Sequence, residues 1–337
     1  MPSAAAAVKS LEAPFAGRRV LVTGGLGFIG SNLARRLASA GAEVLVADAM
    51  VPNHGGNRAN LAGLEDRIRI EIADLRDRDS VRRLVPGHDY VFNLSGQVSH
   101  LESMHDPVTD LTVNALAQPI LLDACRDLAP EAVVAYASTR QIYGKPDYLP
   151  VDEDHLLRPV DVNGINKMAG EAYHTLYHQV YGLRTVSLRL TNTYGPRMRI
   201  KDARQTFLGI WLRRALEDGT IEVWGGQQRR DLVFVEDVID AFLAGALTPE
   251  AWGHYYNVGG GEPVTLDALA TLLVSIAGSG RIERREFPPE RKRIDIGDYF
   301  ANDRRFRTLT GWQPQMGLED GLACALDYYR DRLEAYL

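Results

Sequence analysis

Short apolar runs alternate with helical patterns over the first 191 residues, and this alternation restricts the fold more than any other feature. The runs are rich in Val and Ile and end in Gly, Asp, Ser or Thr; they cover 18–25, 42–49, 67–74, 89–96, 132–139 and 183–191. Apolar residues spaced three and four apart predict helices at 28–40, 77–85, 107–128 and 164–181. Strands joined by crossover helices form a parallel sheet that is covered on both faces. The chain is therefore predicted to be an α/β protein with a doubly wound parallel sheet, a Rossmann fold, whose ligands bind at the carboxyl ends of the strands.

Composition and charge exclude several classes of function. The 337 residues are 45% hydrophobic and 24% charged, which is ordinary for a globular protein, and the net charge is −6. Without a basic tail, nucleic-acid binding is not expected. No run of 18 apolar residues is present, so no membrane span is predicted. Cys125 and Cys324 are far apart and lack the spacing of a metal site, so we expect free thiols, no metal and a cytoplasmic location.

A glycine-rich turn, TGGLGFIG, follows the first strand and opens the first helix. Gly24, Gly27 and Gly30 permit a tight turn and let the backbone approach a pyrophosphate at the start of the helix. We expect this turn, with Phe28 and Ile29, to contact a dinucleotide cofactor.

Acidic residues end the second and third strands. Asp48 lies 18 residues after Gly30, where a carboxylate accepts hydrogen bonds from the adenosine ribose and repels a 2′-phosphate. This favours NAD over NADP. Asp74 is expected near the adenine amino group, and Leu75 is predicted as a further cofactor contact.

The second half of the chain has a different rhythm, with shorter strands and Gly-rich turns after residue 192. We predict a flexible tail over 1–17 and an NAD-binding domain formed by 18–191 and 228–258. Residues 192–227 and 259–337 are predicted to form a smaller substrate-binding domain. The substrate is expected in the cleft between the two.

Four side chains are candidates for the chemistry. Asn163 and Lys167 stand four residues apart in one predicted helix and so share a face. A lysine can orient a cofactor, whereas an amide has no proton to trade near neutral pH. His100 follows the fourth strand, and Thr139 ends the fifth.

Motifs along most of the chain, over about residues 18 to 330, resemble those of one family. They are TGGLGFIG, the strand ending in Asp48, STRQIYG, KMAGE, LRLTNTYGPR, QRRDLVFVEDV, YNVGGGEPVTL and GWQP. Jointly they resemble the extended short-chain dehydrogenase/reductases, specifically the NAD-dependent nucleotide-sugar epimerase/dehydratase family. The resemblance implies a recycled NAD and a nucleotide-diphosphate sugar as substrate. It also implies that Thr139 binds the reacting sugar hydroxyl and that Lys167 holds the nicotinamide ribose.

Asn163 occupies the position at which that family has a tyrosine, which takes the proton of the sugar hydroxyl. An amide cannot do so, and general acid–base help is typically worth about 10²–10⁴-fold in rate. The candidates for a replacement base are His100, Tyr143 and Lys167. His100 is preferred because imidazole is suited to proton transfer near neutral pH.

Arg140 and Gln141 mark a second departure from the family. Its 4,6-dehydratases carry Asp and Glu at these positions to eliminate water, so dehydration is disfavoured here. Arg140 is either a contact for a substrate carboxylate or phosphate, or an ordinary salt-bridged arginine.

The resemblance also implies the contacts of the substrate. Asn192 and Arg230 are expected on the diphosphate, whose oxygens suit a guanidinium fork. Arg293 is predicted as a second cation for the phosphates, Asp295 as a partner for ribose or sugar hydroxyls, and Tyr143 as a neighbour of the sugar.

The predicted helices 107–128 and 164–181 carry apolar faces. In the family these two helices form a four-helix bundle between subunits, so a homodimer is expected; packing on the chain's own sheet is the alternative.

The predicted function is an NAD-dependent nucleotide-sugar epimerase that transiently oxidises the sugar. Two alternatives stay open. One is another NAD-dependent modification of a nucleotide sugar, by a dehydratase, decarboxylase or dehydrogenase. The other is a non-catalytic protein that binds NAD or a sugar nucleotide.

Overall fold

The computed structural model describes residues 11–52, 54–204 and 206–337. Residues 1–10 of the predicted flexible tail lie outside the described residues. The prediction is wrong for the end of the tail, because Phe15, in a 3₁₀ turn over Ala13–Phe15, is fully buried. Its ring centroid lies 4.7 Å from that of Tyr90 and 6.2 Å from that of Phe92. Burial of this aromatic ring makes the segment part of the core.

Strands and helices alternate through the first half of the chain. The strands are β1 (Arg19–Thr23), β2 (Glu43–Asp48), β3 (Ile68–Ile72), β4 (Tyr90–Asn93), β5 (Val133–Thr139) and β6 (Arg184–Leu190). The helices are α1 (Phe28–Ser39), α2 (Arg78–Leu84), α3 (His100–His105), α4 (Pro107–Leu111), α5 (Ala117–Leu128) and α6 (Val162–Tyr181). A π-helical turn, Thr112–Leu116, joins α4 to α5, and 3₁₀ turns lie at Arg58–Leu61 and Arg140–Tyr143.

The second half contains shorter strands. They are β7 (Asn192–Tyr194), β8 (Thr220–Trp224), β9 (Arg229–Arg230), β10 (Leu232–Phe234), β11 (His254–Val258), β12 (Val264–Thr265) and β13 (Arg281–Arg285). Its helices are α7 (Phe207–Leu216), α8 (Val235–Leu247), α9 (Leu266–Ala277), α10 (Pro289–Lys292), α11 (Arg304–Thr310) and α12 (Leu318–Arg330), with 3₁₀ turns at Pro249–Ala251 and Leu333–Tyr336. No helix among the described residues combines the length and the apolarity that a membrane crossing needs.

Seven parallel strands form the main sheet, in the order β11-β6-β5-β4-β1-β2-β3. The predicted doubly wound α/β fold is confirmed. The chain runs outward from β1 in both directions, so a crevice opens at the carboxyl ends of β1 and β4, where ligands of such sheets bind. Three two-stranded pairs stand apart from the sheet: β7 with β10, β8 with β13, and β9 with β12.

Two apolar layers cover the sheet, and alternate residues of each strand face one or the other. Val20 and Val22 of β1 belong to the larger cluster, with Leu33 of α1 and much of α8. Leu21 belongs to the second cluster, with Leu121 of α5. Burial on both faces explains why these strands are apolar at nearly every position.

Large apolar side chains remain exposed along the helical run 107–128 and along α6. They are Val108, Leu111, Leu116, Ile165, Leu176 and Val180, each about half exposed or more. An apolar strip of this kind on a monomer is typical of an interaction surface.

Candidate active site

The turn between β1 and α1 is shaped for close approach of backbone to a ligand. Gly24 has a φ of +65°, and a Cβ atom there would lie 2.7 Å from the carbonyl oxygen of Leu94. A Cβ atom on Gly30 would lie 2.3 Å from the carbonyl oxygen of Gly24. Both positions therefore require glycine. Helix α1 follows Gly27 without a side-chain cap, so its first N–H groups are free for an anion.

Asp48 ends β2 with its carboxylate at the same edge of the sheet. Its Oδ2 accepts a hydrogen bond from the N–H of Leu26 at 3.1 Å, and its Oδ1 accepts one from Met50 at 2.9 Å. Burial raises the pKa of Asp48, and the two backbone donors oppose the rise. Each oxygen keeps a second lone pair that a ribose hydroxyl can use.

Asp74 follows β3 and pairs with Arg76, whose Nη2 lies 2.6 Å from Oδ2 of Asp74. Hydrogen bonding to this guanidinium lowers the pKa of Asp74. The glycine turn, the free start of α1 and the carboxylate of Asp48 together fit a dinucleotide with an unphosphorylated adenosine ribose.

Lys167 and Thr139 lie where β5 meets α6. Lys167 is 6% exposed, and its Nζ donates to the carbonyl oxygen of Ala137 at 3.1 Å. Burial lowers the pKa of Lys167 to about 8, and the carboxylate of Asp110 partly opposes this. The Oγ1 atom of Thr139 accepts from the N–H of Gln141 at 3.2 Å, which leaves its hydroxyl hydrogen for another acceptor.

Asn163 is 1% exposed, and the protein itself binds its amide nitrogen. Nδ2 donates to the carbonyl oxygen of Gln97 at 2.7 Å and to Oδ2 of Asp110 at 3.0 Å. Asn166 donates to the other oxygen of Asp110 at 2.7 Å, so α4 is fastened to α6 through a buried carboxylate. No described residue donates to Oδ1 of Asn163, and the side chain lines the cleft.

His100 lies between Asp161 and Gln141. Its Nδ1 is hydrogen-bonded to Oδ2 of Asp161, and its Nε2 lies 2.8 Å from Nε2 of Gln141. An amide nitrogen only donates, so Nε2 of His100 is the acceptor here and Nδ1 carries the hydrogen. Asp161 also caps α6, because its Oδ1 accepts from the N–H of Gly164 at 2.7 Å. Burial would raise the pKa of Asp161, but the bond to His100 and its charge lower it.

Two arginines face the cleft from the side of β9 and from the 3₁₀ turn after β5. Arg230 is 8% exposed, and its Nη1 donates to the carbonyl oxygens of Arg229, at 2.9 Å, and Gly297. Burial, and next the charge of Arg140, lower the pKa of Arg230 to about 10. Arg140 donates no hydrogen bond to any described residue; its Cζ lies 5.1 Å from the ring centroid of Tyr299.

One cavity of about 1230 Å³ connects these groups. The predicted site residues that line it are Gly24, Gly27, Phe28, Ile29, Gly30, Asp48, Asp74, Leu75, His100, Thr139, Asn163, Lys167, Asn192, Arg230 and Asp295. Within the described part of the chain, no cluster of His, Cys, Asp or Glu could hold a metal ion.

Two predicted site residues lie elsewhere. Tyr143 is fully buried behind the cleft; its Oη donates to Oδ1 of Asn257 at 2.8 Å and accepts from Nη1 of Arg189 at 2.6 Å. Tyr143 does not line the cavity, and burial raises the pKa of its phenol, which makes it a poor candidate for the base. Arg293 is exposed on the loop after α10 and does not line the cavity.

Sequence reasoning missed Asp110 and Asp161. Asp161 stands three residues before Gly164, a spacing typical of a helix N-cap. Its bond to His100, however, joins residues 61 positions apart, which no local pattern reveals. Asp110 meets Asn163 only through the packing of two helices.

The chain matches known proteins over nearly its whole length. Residues 20–259 match the NAD dependent epimerase/dehydratase family. A UDP-glucose 4-epimerase of Mycolicibacterium smegmatis is 33% identical over 318 residues, which cover 93% of this chain and 99% of that protein. A dTDP-glucose 4,6-dehydratase of Streptomyces niveus is 29% identical and covers 93% of both chains.

A solved structure has the same fold. The UDP-glucuronic acid 4-epimerase of Bacillus cereus, in complex with UDP-glucuronic acid and NAD, superposes with a TM-score of 0.82 at 28% identity and covers 93% of this chain and 99% of its own. The sequence matches, the shared fold and the glycine turn with Asp48 all point to the same family. The chain belongs to the NAD-dependent epimerase/dehydratase family of enzymes.

Proposed function

We propose that the protein is a nucleotide-sugar epimerase that inverts one carbon of the sugar by oxidising it transiently. The observation that carries this proposal is that His100, Thr139 and Lys167 line the same cavity as the glycine turn and Asp48. A hydroxyl donor, a buried cation and an imidazole could bind a sugar alcohol, stabilise its developing negative charge and take its proton, while the dinucleotide would take the hydride.

Gly24, Gly30 and Asp48 would hold the pyrophosphate and adenosine ribose of NAD, and Lys167 the nicotinamide ribose. NAD supplies a reversible acceptor for the hydride of the sugar. Lys167 adds a positive charge beside the reacting carbon, where negative charge on the sugar oxygen develops.

His100 is the base in this proposal. The C–H electron pair leaves as hydride, the O–H proton passes to Nε2 of His100, and a carbonyl forms on the sugar. Asp161 keeps the hydrogen on Nδ1 and stabilises the imidazolium, as the carboxylate does in other His–Asp pairs. The return of hydride to the opposite face of the carbonyl, with the proton from His100, completes the inversion.

Gln141 must leave Nε2 of His100 before the sugar hydroxyl can reach it, because a neutral imidazole has one lone pair at this atom. Its Nε2 donates to the neutral ring at 2.8 Å, while its Oε1 is buried without a hydrogen-bond partner among the described residues. Rotation of the amide away from the ring would free the lone pair of Nε2 for the proton of the sugar hydroxyl. Asn163 takes no part in proton transfer in this proposal. Its Oδ1 would accept a hydrogen bond from a hydroxyl of the sugar or of the ribose.

Epimerisation is favoured over dehydration by the groups around Thr139. Elimination of water needs a carboxylic acid beside the departing hydroxyl, and positions 140 and 141 hold arginine and glutamine. The nearby carboxylate of Asp161 is engaged by His100 and by the start of α6.

The exposed apolar strips on the helical run 107–128 and on α6 support a homodimer formed through these helices. A cytoplasmic location is part of the proposal and is supported by two cysteines that form no disulfide, Cys125 buried and Cys324 exposed.

The test is a product assay on the full chain with NAD and a panel of UDP-, dTDP-, GDP- and CDP-sugars. We expect one sugar to be converted into its epimer without a change of mass and without net formation of NADH. A product lighter by one water, or stoichiometric NADH release, would contradict epimerisation. If no sugar of the panel binds, the proposed substrate class is wrong.

A further inference from the structure

Arg140 is a cation in the wall of the cleft. It directly follows Thr139, at the carboxyl end of β5, and lines the cavity. Its guanidinium lies over the ring of Tyr299, with 5.1 Å between Cζ and the ring centroid. No hydrogen bond or ion pair joins it to any of the described side chains or carbonyl groups.

Arg140 is surrounded by polar groups, and two of their buried oxygen atoms lack hydrogen-bond partners among the described residues. Burial lowers the pKa of Arg140, and the electrostatic effects of Tyr299, Asp231 and Asp161 oppose this. Oη of Tyr299 and Oδ1 of Asp231 are buried, and neither has a hydrogen-bond partner among the described residues. A desolvated cation with unfilled donors costs free energy unless an anion binds it. The five N–H donors of the guanidinium suit a planar, two-oxygen acceptor.

Arg140 directly follows Thr139, at the part of the cleft where the chemistry is proposed, and it lines the same cavity as Arg230. It is within electrostatic reach of Asp161, which is hydrogen-bonded to His100. It is also within electrostatic reach of Arg230, which is next to Asp231 in the chain and lines the same cavity. If Arg230 and Asn192 hold the diphosphate, Arg140 is left opposite the sugar itself.

We propose that Arg140 binds a carboxylate carried by the sugar, so that the preferred substrate is a nucleotide-diphosphate uronic acid. The proposal rests on the proposed function, since it assigns a sugar to the same site. Arg140 would then determine substrate specificity. Its guanidinium would donate two hydrogen bonds to the carboxylate of an acidic sugar, whereas a neutral sugar would leave these donors without an acceptor.

Calorimetric titration of the full chain, saturated with NAD, tests this. UDP, dTDP, GDP and CDP are titrated first; the nucleotide that binds best is then compared with its glucose and glucuronic acid esters. We expect the acidic ester to bind at least about tenfold more tightly than the glucose ester, as a charge-assisted pair implies. R140Q should remove this preference and leave the free nucleotide and the glucose ester within about threefold of wild type. R140K, which keeps the charge but not the fork, should keep part of it.

R305Q is the matched control. Arg305 also lies over a tyrosine ring, that of Tyr256, at 5.4 Å, but outside the cavity. Its replacement should leave all three affinities unchanged. An equal loss in R140Q for the nucleotide and both esters would place Arg140 on the diphosphate and overturn the proposal. Equal binding of the two esters by the wild type would do the same. Failure of all four nucleotides would contradict the proposed function instead.

Discussion

Asn163 donates a hydrogen bond from Nδ2 to Oδ2 of Asp110 across 3.0 Å, in the interior between α4 and α6. Asp110 is 1% exposed, and its other oxygen is bound by Asn166. The amide at position 163 is therefore part of the support of the site. A tyrosine could not supply the same donors to Asp110 and to the carbonyl of Gln97.

N163Y should consequently lower the stability of the folded protein without raising its turnover. We expect the free energy of unfolding to fall by about 2 kcal/mol or more, because a buried carboxylate loses a donor and a larger ring must fit. N163A, which removes the donors without adding bulk, separates the two causes. Chemical denaturation and the product assay measure both effects. A stable N163Y with faster turnover would mean that the asparagine is a vestige of a lost site.

Replacement of the imidazole should stop the chemistry while ligand binding persists. We expect H100N to lower kcat by about 10²–10⁴-fold, the usual value of general acid–base help, with nucleotide-sugar affinity little changed. H105N is the matched control, because His105 lies in the same helix and is exposed outside the cleft. Steady-state kinetics on the three proteins checks this; wild-type turnover in H100N would exclude His100 as the base.

Asp161 is a positioning residue, and its replacement should have a different signature. D161N should lower kcat and shift the acid limb of its pH profile to lower pH, because the imidazolium loses its stabilising carboxylate and the ring is protonated less readily. Since the folded-state pKa of Asp161 is depressed, its stabilising contribution is complete above its unfolded value and is lost as pH falls through the folded value. A pH profile of kcat and of unfolding would show both. Identical profiles in wild type and D161N would mean that the carboxylate does no more than cap the helix.

Lys167 should make the folded protein more stable as the pH rises through the alkaline range. Burial lowers its pKa from 10.5 to about 8, so between these values the unfolded chain binds more protons than the folded chain. The unfolding free energy should therefore rise through this window, by up to about 3 kcal/mol for a shift of this size. The measurement is the difference between wild type and K167M from pH 7 to 11. A flat difference would contradict a desolvated lysine.

Gly30 should tolerate no side chain. In G30A the new Cβ would lie 2.3 Å from the carbonyl oxygen of Gly24, so the turn must shift and NAD binding should weaken by about tenfold or more. G261A is the control, because a Cβ on Gly261 would meet nothing within 4 Å and φ there is not in the left-handed region. Titration with NAD distinguishes them; equal affinities would argue against pyrophosphate binding at the turn.

The exposed apolar strip on α6 should govern assembly. L176K together with V180K should convert the proposed dimer to a monomer, because two charges would be buried against the partner helices. L156K provides a comparison, since Leu156 is equally apolar and 57% exposed but lies in a loop. Sedimentation velocity reads the outcome. A wild-type protein that is already monomeric would refute the proposed interface.

The sheet was predictable because its signals are local. Buried parallel strands need apolar residues at nearly every position, and the covering helices repeat every three to four residues. Gly24, Gly30 and Asp48 also follow from local spacing, since the turn and the next strand end lie within one βαβ unit.

The rest depends on contacts that the order of residues does not reveal. Phe15 looks like part of a flexible tail in the sequence, but in the structure it packs against Tyr90 and Phe92. Tyr143 carries a phenol near the site in sequence, yet Arg189 and Asn257 draw it into the core. Arg293 stands two residues from Asp295, but the loop exposes the arginine and brings the carboxylate to the cleft.

The carboxylate of Asp161 both caps α6 and binds His100. The first turn of α6 and the orientation of the imidazole therefore depend on the same group. A molecule in which the first turn of α6 has frayed would present an unoriented imidazole in place of the proposed proton acceptor. If His100 is the base, partly unfolded copies would therefore be inactive.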